Sequence, residues 1–199
     1  MAFPRVAVVP GAASGPAKNL NRMSLLLISA SLNPDSNSRV MALEAQRVLA
    51  ADGAPPAWLD LRDLPLPICD GDKTYGDPNV GRARELIAAA DGILAASPVY
   101  NYNANAALKN LVELTGQAWE NKVVGFLCAA GGISSYMSMM SLANSLMLDF
   151  RCVIVPRFVY ANDSAFASGR IKDPKIADRV AQCARATLRL AAAVKSAGL

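Results

Sequence analysis

The side chains of this sequence that could perform chemistry are hydroxyls, amides and phenols, because its 199 residues include no histidine. Ser-His-Asp catalysis, Cys-His catalysis and histidine metal sites are therefore excluded. The four cysteines form no C-x-x-C pair, so neither a zinc knuckle nor a dithiol redox motif is expected; they are Cys69, Cys128, Cys152 and Cys183. We therefore assign no catalytic side chain and no metal ligand.

The first polar segment, SASLNPDSNSR from Ser29 to Arg39, follows an apolar run and leads into a helical pattern. Free N–H groups and the positive end of a helix dipole bind anions, and serine hydroxyls add donors without adding charge. The segment matches neither the P-loop nor G-x-G-x-x-G, and it fits one terminal phosphate monoester. An ordinary helix cap by Ser36 or Ser38 fits the same pattern, and both interpretations stay open.

The second polar segment, SPVYNYNANAALKN from Ser97 to Asn110, follows the apolar run ADGILAA. Pro98 is predicted to end the strand ladder there. The tyrosines and asparagines that follow offer planar faces and neutral hydrogen-bonding groups, which suit a flat, largely uncharged heterocycle. A turn built from proline and asparagine is the alternative, although a turn does not require two tyrosines.

The third polar segment, AAGGISSY from Ala129 to Tyr136, contains two adjacent glycines. Gly131 and Gly132 would let the backbone approach a ligand closely and adopt positive φ. A plain tight turn explains the same residues equally well when this segment is taken alone.

The elements that must position these segments alternate along the chain. Strand-like apolar runs are predicted at 24–29, 57–64, 92–97, 122–130 and 152–161, and helical patterns at 37–53, 79–91, 106–116, 135–150 and 174–198. Apolar strands separated by helices predict a parallel sheet covered on both faces, which is a three-layer, doubly wound α/β fold. Ligands bind beyond the carboxyl ends of such strands. The three segments follow strands one, three and four, so together they suit a phosphorylated tricyclic cofactor such as flavin mononucleotide (FMN).

Composition narrows the protein class. With 53% hydrophobic and 18% charged residues, the chain fits one compact domain, which we place at residues 23–199. The net charge of +4 is scattered, so we expect no nucleic-acid partner, and the longest apolar run is too short for a membrane span. The cysteine pattern suits a reducing cytoplasm. Residues 1–22 are expected to be a poorly ordered extension, with a signal peptide as the alternative.

The three segments, together with DLRDLPLP at Asp60–Pro67, resemble the NADPH-dependent FMN reductase family. This flavodoxin-like group includes quinone, azo-dye and chromate reductases. The resemblance runs from about Met23 to the C-terminus, and its most specific part is S-P-x-Y-N followed by L-K-N. It implies a flavodoxin-like fold with a five-stranded parallel sheet in the order 2-1-3-4-5.

The resemblance also implies FMN as cofactor, with NADPH or NADH as co-substrate. The implied phosphate contacts are Ser31, Asn33, Ser36 and Ser38, and the implied ring contacts are Pro98, Val99, Tyr100, Asn101, Asn103, Gly131 and Gly132. Lys109 and Asn110 match L-K-N, for which we expect a structural role. Asn33 departs from the family, which often has an arginine there that aids phosphate or NADPH binding. NANAALKN also replaces the family's usual Pro-Gly before the L-K-N helix.

The implied function is that of an FMN-dependent NAD(P)H oxidoreductase. Nicotinamide would pass a hydride to flavin N5, and the flavin would pass it to a small-molecule acceptor such as free flavin or a quinone, by a ping-pong mechanism. The resemblance also implies a homodimer or homotetramer. Two other classes stay open: a flavodoxin-type electron carrier, which the lack of a strongly acidic face disfavours, and a non-catalytic flavin-binding module.

Overall fold

The computed structural model describes residues 23–198, and the expected extension at 1–22 lies outside them. The strands are β1 Leu25–Ser29, β2 Ala57–Asp60, β3 Gly92–Tyr100, β4 Asn103–Ala104, β5 Val123–Ala130, β6 Val153–Ile154, β7 Val159–Asn162, β8 Phe166–Ala167 and β9 Arg170–Ile171. The helices are α1 Asn37–Ala51, α2 Pro78–Ala88, α3 Ala106–Thr115, α4 Met140–Phe150 and α5 Pro174–Ala197. Between residues 23 and 198, no helix is both long and apolar enough to cross a membrane.

The central sheet has the predicted flavodoxin-like order. Its strands run β2-β1-β3-β5, and β6 and β7 both pair in parallel with β5 on its outer side. The prediction of one continuous fifth strand over 152–161 is therefore wrong in detail. The chain leaves the sheet between Ile154 and Val159. Pro156 has no N–H for the ladder, and Arg157 adopts a left-handed conformation with φ 63°.

The third strand is longer than predicted, because Pro98 does not end it. Residue Pro98 stays in register with Ala129 of β5, and β3 continues to Tyr100. The carbonyl of Ala96 accepts a hydrogen bond from Ala30, so Ala96 and Pro98 direct their backbone groups towards β1. Since β1 ends at residue 29, no neighbouring strand needs the N–H that proline lacks.

Helices cover both faces of the sheet and bury two apolar layers. Leu26 and Ile28 of β1 face the layer that includes α2, α3 and α4, whereas Leu25 and Leu27 face the layer that includes α1 and α5. Alternation of side chains along a strand explains this division. At Gly125 of β5 the helix α5 approaches so closely that an added Cβ would lie 2.7 Å from Thr187 Oγ1.

Local signals set the helix ends. Asp77 and Asp173 cap α2 and α5 through their side chains, and each is followed by a proline in the first turn. Helix α4 was predicted to begin at 135 but begins at Met140, because the preceding residues form turns that carry polar side chains. It buries Leu142 and Leu146 against the core.

Candidate functional site

The polar turn after β1 presents buried hydroxyls at the N-terminus of α1. Ser31, Ser36 and Ser38 are all buried, and the Ser36 and Ser38 hydroxyl oxygens lie 2.9 Å apart. Ser36 Oγ accepts a hydrogen bond from the N–H of Arg39 at 3.2 Å, so it does cap the helix. The N–H groups of Asn37 and Ser38 remain without a hydrogen bond in the described part of the chain. Capping and anion binding are therefore compatible in this turn.

A second feature of the turn is a buried hydroxyl without a partner. Ser29 Oγ, at the end of β1, is fully buried and makes no hydrogen bond within residues 23–198. Asn33, by contrast, lies exposed, and its side chain accepts a hydrogen bond from the N–H of Asp35 at 3.0 Å. The three buried serines of this turn thus fit a phosphate site by their position, while Asn33 lies at its outer rim.

Two arginines place excess positive charge at the base of this turn. Arg39 Nε lies 2.6 Å from Asp60 Oδ2, and Arg62 Nε lies 3.6 Å from Asp60 Oδ1. The Asp60 side chain is fully buried, and the Arg39 guanidinium also lies 5.6 Å from the centroid of the Trp58 ring. Because two guanidinium groups surround one carboxylate, the cluster favours an anion in the adjacent turn.

The segment after β3 folds into a tight hairpin, so a turn, the alternative interpretation of this segment, is present, although the pairing of its two arms was not predicted. Tyr100 pairs with Asn103, and the two residues between them, Asn101 and Tyr102, have φ of 49° and 66°. Positive φ at both positions is the pattern of a type I′ turn; asparagine tolerates it well, and tyrosine does so rarely. The hairpin leaves the Tyr100 side chain 53% exposed. The candidate ring contacts Pro98 and Val99, which precede Tyr100 in β3, are buried.

The glycines after β5 provide open space rather than an unusual backbone. Gly131 and Gly132 are exposed, and neither has positive φ, so that part of the prediction is wrong. A Cβ added at Gly131 would lie 3.8 Å from Asp163 Oδ2, and one added at Gly132 would meet nothing within 4 Å. The absence of side chains here keeps one edge of the candidate site accessible.

Hydrogen bonds join the turns after β1 and β3 through Asn105, which the sequence analysis did not single out as a site residue. The Asn105 amide donates to the carbonyl of Ala30 at 2.7 Å and accepts from Ser97 Oγ at 3.0 Å. Asn105 occupies the N-cap position of α3, but its side chain does not cap that helix. The sequence signal for Asn105 was its place directly before the helical pattern of α3, because asparagine is common at N-caps. In the structure its amide does not cap the helix and binds the two turns instead.

Two tyrosines hold the turn after β5: Tyr102 joins it to the turn after β3, and Tyr160 joins it to β7. Tyr102 Oη donates to the carbonyl of Ser134 at 2.7 Å, and Tyr160 Oη donates to the carbonyl of Gly132 at 2.6 Å. On the other side, Asn37 donates to Asp163 at 3.0 Å, close to Gly131. The three predicted polar segments therefore meet at one edge of the sheet.

The loop after β2 is attached to the same edge by Asn110. Its side chain accepts from the N–H of Cys69 at 2.9 Å and donates to the carbonyl of Pro67 at 2.8 Å. Lys109 pairs with Glu113 on the surface of α3. Lys109 and Asn110 of L-K-N thus both make structural contacts. Asn110 also lines an apolar cavity of about 440 Å³, together with Leu32 of the first turn.

Three of the four cysteines, Cys128, Cys152 and Cys183, are buried and offer no nucleophile, whereas Cys69 is partly exposed. Burial raises the pKa of Cys152 and of Cys183 to about 11, and it raises the pKa of Cys128 further. Buried thiols with raised pKa stay protonated at neutral pH and are inert. Within residues 23–198, no three His, Cys, Asp or Glu side chains form a group that could hold a metal ion.

Comparison with known proteins identifies the family. The model of the NADPH-dependent FMN reductase family matches residues 23–167. The chain belongs to this family. The expected resemblance is thereby confirmed, and the predicted class of oxidoreductase with it. The family match covers the three polar turns and the sheet strands that position them.

Individual relatives agree with membership of the FMN reductase family. The NAD(P)H-dependent FAD/FMN reductase of Geobacillus thermodenitrificans (strain NG80-2) is 30% identical over 145 residues, 71% of this chain and 78% of that protein. The NADPH:quinone oxidoreductase of Arabidopsis thaliana is 30% identical over 125 residues, 58% of this chain and 63% of that protein. The flavoenzyme NAD(P)H:acceptor oxidoreductase of Paracoccus denitrificans has the same fold, with a TM-score of 0.70 at 20% identity, covering 85% and 97% of the two chains.

Proposed function

We propose that this protein is an FMN-dependent NAD(P)H oxidoreductase that reduces a small-molecule acceptor. The observation that supports it most is the meeting of three turns at one sheet edge, tied by Asn105 and Tyr102. One turn offers hydroxyl and N–H donors, one offers exposed aromatic surface, and one offers an open glycine edge. Membership of the FMN reductase family and the printed activities of the relatives point to the same chemistry.

The donor set fits the phosphate of FMN. The unpaired N–H groups at the start of α1 and the hydroxyls of Ser31, Ser36 and Ser38 would hold the phosphate oxygens. The positive cluster around Asp60 would stabilise the phosphate charge without contributing to catalysis. Ser29 Oγ, buried without a partner, adds a donor that a bound phosphate or its bridging water would satisfy.

The other two turns would hold the flavin ring. Tyr100 and Asn101 present an exposed phenol and amide on the hairpin, and the backbone N–H groups of Gly131 and Gly132 would lie along the polar edge of the ring. When bound, FMN supplies the hydride chemistry, accepting at N5 and then reducing the acceptor. The protein orients the ring, stabilises negative charge at its edge and leaves one side open.

A ping-pong mechanism with a quinone or free flavin as acceptor completes the proposal. Nicotinamide and acceptor would use the same open side of the ring in turn, since the hairpin residues Tyr100 and Asn101 would hold the ring from the other side. The Arabidopsis relative is named for quinone reduction and the Geobacillus relative for flavin reduction, so both acceptor classes are proposed.

The test begins with an anaerobic spectrum of the purified protein with FMN, before and after addition of NADPH or NADH. We expect the nucleotide to bleach the flavin absorption band and a quinone to restore it. In steady-state assays, double-reciprocal plots of initial rate at several quinone concentrations should be parallel, as a ping-pong mechanism requires. A protein that binds FMN but is not bleached by either nucleotide would be a flavin-binding module. Reduction by single electrons, without direct uptake of hydride in stopped flow, would indicate an electron carrier.

We also propose a homodimer or homotetramer in the cytoplasm. The family resemblance supports an oligomer, and Leu148 and Ile68, which are 86% and 78% exposed, are apolar side chains that a subunit interface would cover. None of the four cysteines, all within residues 23–198, forms a disulfide, which supports a reducing compartment. Light scattering coupled to size-exclusion chromatography measures the subunit number directly, and a monomer at micromolar concentration would contradict the proposal.

A further inference from the structure

A groove lies beside α4 on the side of the sheet edge formed by β6 and β7. It has a volume of about 610 Å³, within the range of small-molecule sites. Its apolar lining includes Tyr136, Met137, Met140, Met147, Phe158 and Tyr160. We name it the α4 groove.

Two arginines, Arg157 and Arg179, complete the lining of the α4 groove. Arg157 lies at the break in the fifth strand, where it adopts the left-handed conformation. Arg179 comes from α5 and donates to the carbonyl of Phe158 at 3.3 Å. Neither arginine forms an ion pair with another residue between positions 23 and 198.

The α4 groove adjoins the glycine edge of the candidate flavin site through Tyr160. Tyr160 lines the groove, and its hydroxyl binds the carbonyl of Gly132 at 2.6 Å and lies 2.9 Å from Ser135 Oγ. Tyr136 and Met137, which follow the same glycine turn, also line the groove. A molecule in contact with the open glycine edge can therefore extend into the groove.

The chemistry of the groove fits a planar apolar group that carries an anion. Aromatic and methionine side chains bind flat rings, and guanidinium groups bind phosphate through paired N–H donors. The cluster of Arg39 and Arg62 lies at the first turn, beside the phosphate proposed for FMN. A second phosphate on a different ligand would need cations of its own, and Arg157 and Arg179 are in place for one.

We infer that the α4 groove binds the adenosine half of NADPH, and that Arg157 and Arg179 recognise its 2′-phosphate. This inference rests on the proposed function, because it assumes that nicotinamide reaches the flavin. It makes the protein selective for NADPH over NADH. The 2′-phosphate is the group that distinguishes the two nucleotides, and the two arginines supply charge for it.

The test compares kcat/KM for NADPH and NADH in the FMN-loaded full chain and in Arg157→Asn and Arg179→Gln. Asparagine is chosen at 157 because it tolerates the left-handed backbone. Both arginines are exposed, so solvent screens them; we expect each change to lower kcat/KM for NADPH about tenfold and to leave the NADH value within about twofold. Arg189→Gln is the matched control, with the same charge change about 15 Å further along α5, and it should alter neither.

Calorimetry gives a readout that does not depend on hydride transfer. Adenosine 2′,5′-bisphosphate should bind the FMN-loaded protein more tightly than adenosine 5′-monophosphate, and both arginine variants should remove the difference. Equal efficiencies with NADPH and NADH in the unaltered protein, or an equal loss for both nucleotides in the variants, would overturn the inference while leaving the proposed function intact. Failure to oxidise either nucleotide would instead contradict the proposed function, and a lack of preference for the bisphosphate would still overturn the groove assignment.

Discussion

Replacing Ser36 by aspartate should separate phosphate binding from helix capping at the first turn of α1. Aspartate caps helices as well as serine does, and its carboxylate can accept the same hydrogen bonds, from the N–H of Arg39 and from the Ser38 hydroxyl. A negative charge at a helix N-terminus is also favoured by the dipole. The urea midpoint of the protein without FMN should therefore change little.

The effect on FMN should be large, because the new carboxylate would face the phosphate. Two unit charges about 4 Å apart at an effective dielectric constant of about 20 repel by about 4 kcal/mol. The neighbouring Arg39 and solvent screen part of this repulsion. We expect the dissociation constant of FMN to rise at least about 100-fold, which corresponds to about 2.7 kcal/mol.

The assay is quenching of flavin fluorescence, measured with FMN and with riboflavin, which has the ring but no phosphate. Riboflavin affinity should change by less than about threefold in Ser36→Asp, since no charge opposes it. Asn144→Asp, which adds the same charge on the exposed surface of α4, is the control and should bind both flavins normally. Equal weakening of FMN and riboflavin, or unchanged FMN affinity, would refute the placement of the phosphate.

Three further predictions concern glycines and thiols. Gly131→Trp should lower FMN affinity at least about tenfold by filling the open edge, whereas Gly131→Ala should not, because its Cβ would meet only an oxygen at 3.8 Å; flavin titration of both measures this. Gly125→Ala should reduce the free energy of unfolding by about 1–3 kcal/mol, because its Cβ would lie 2.7 Å from Thr187 Oγ1. Gly81→Ala, in an open position of α2, should raise it by up to about 1 kcal/mol, and urea titration compares the two. Iodoacetamide at pH 8 should modify only Cys69 in the native protein, as read by peptide mass spectrometry; modification of a buried thiol would show that the core opens. The thiols expected to stay unmodified are Cys128, Cys152 and Cys183.

The parallel sheet and the meeting of the three turns at one edge followed from the sequence, because they depend on hydrophobic runs and on connection rules. Strand runs such as LLLIS and VVGFLCAA are apolar throughout, which only burial on both faces explains. The family resemblance then supplied the sheet order, and the structure has it. The predicted end of β3 was less accurate, because the strand continues through Pro98 to Tyr100. The neighbouring strand β1 has already ended there, so proline removes no hydrogen bond from the sheet.

The hairpin after β3 and the break in the fifth strand were missed for a different reason. Both depend on non-glycine residues with positive φ, Tyr102 and Arg157, which local propensity disfavours. Tertiary contacts stabilise the first: the Tyr102 hydroxyl binds Ser134, thirty-two residues along the chain. A hydrogen bond between residues so far apart in the chain cannot be predicted from hydrophobic periodicity, which reflects only neighbouring residues.

The structure also divides the amides and tyrosines of the second segment into two groups with different tasks. Tyr102, Asn103 and Asn105 are engaged with other parts of the chain: Tyr102 with Ser134, Asn103 with Ser141 of α4 at 2.9 Å, and Asn105 with the end of β1. The side chains of Tyr100 and Asn101 make no hydrogen bond within residues 23–198. Because polar groups at a ligand site must be left available for the ligand, these two residues are the stronger candidates for contact with the flavin ring. Asn103 holds the hairpin against α4 through its Oδ1, so its loss should displace the hairpin, and its contact with the ring stays a prediction.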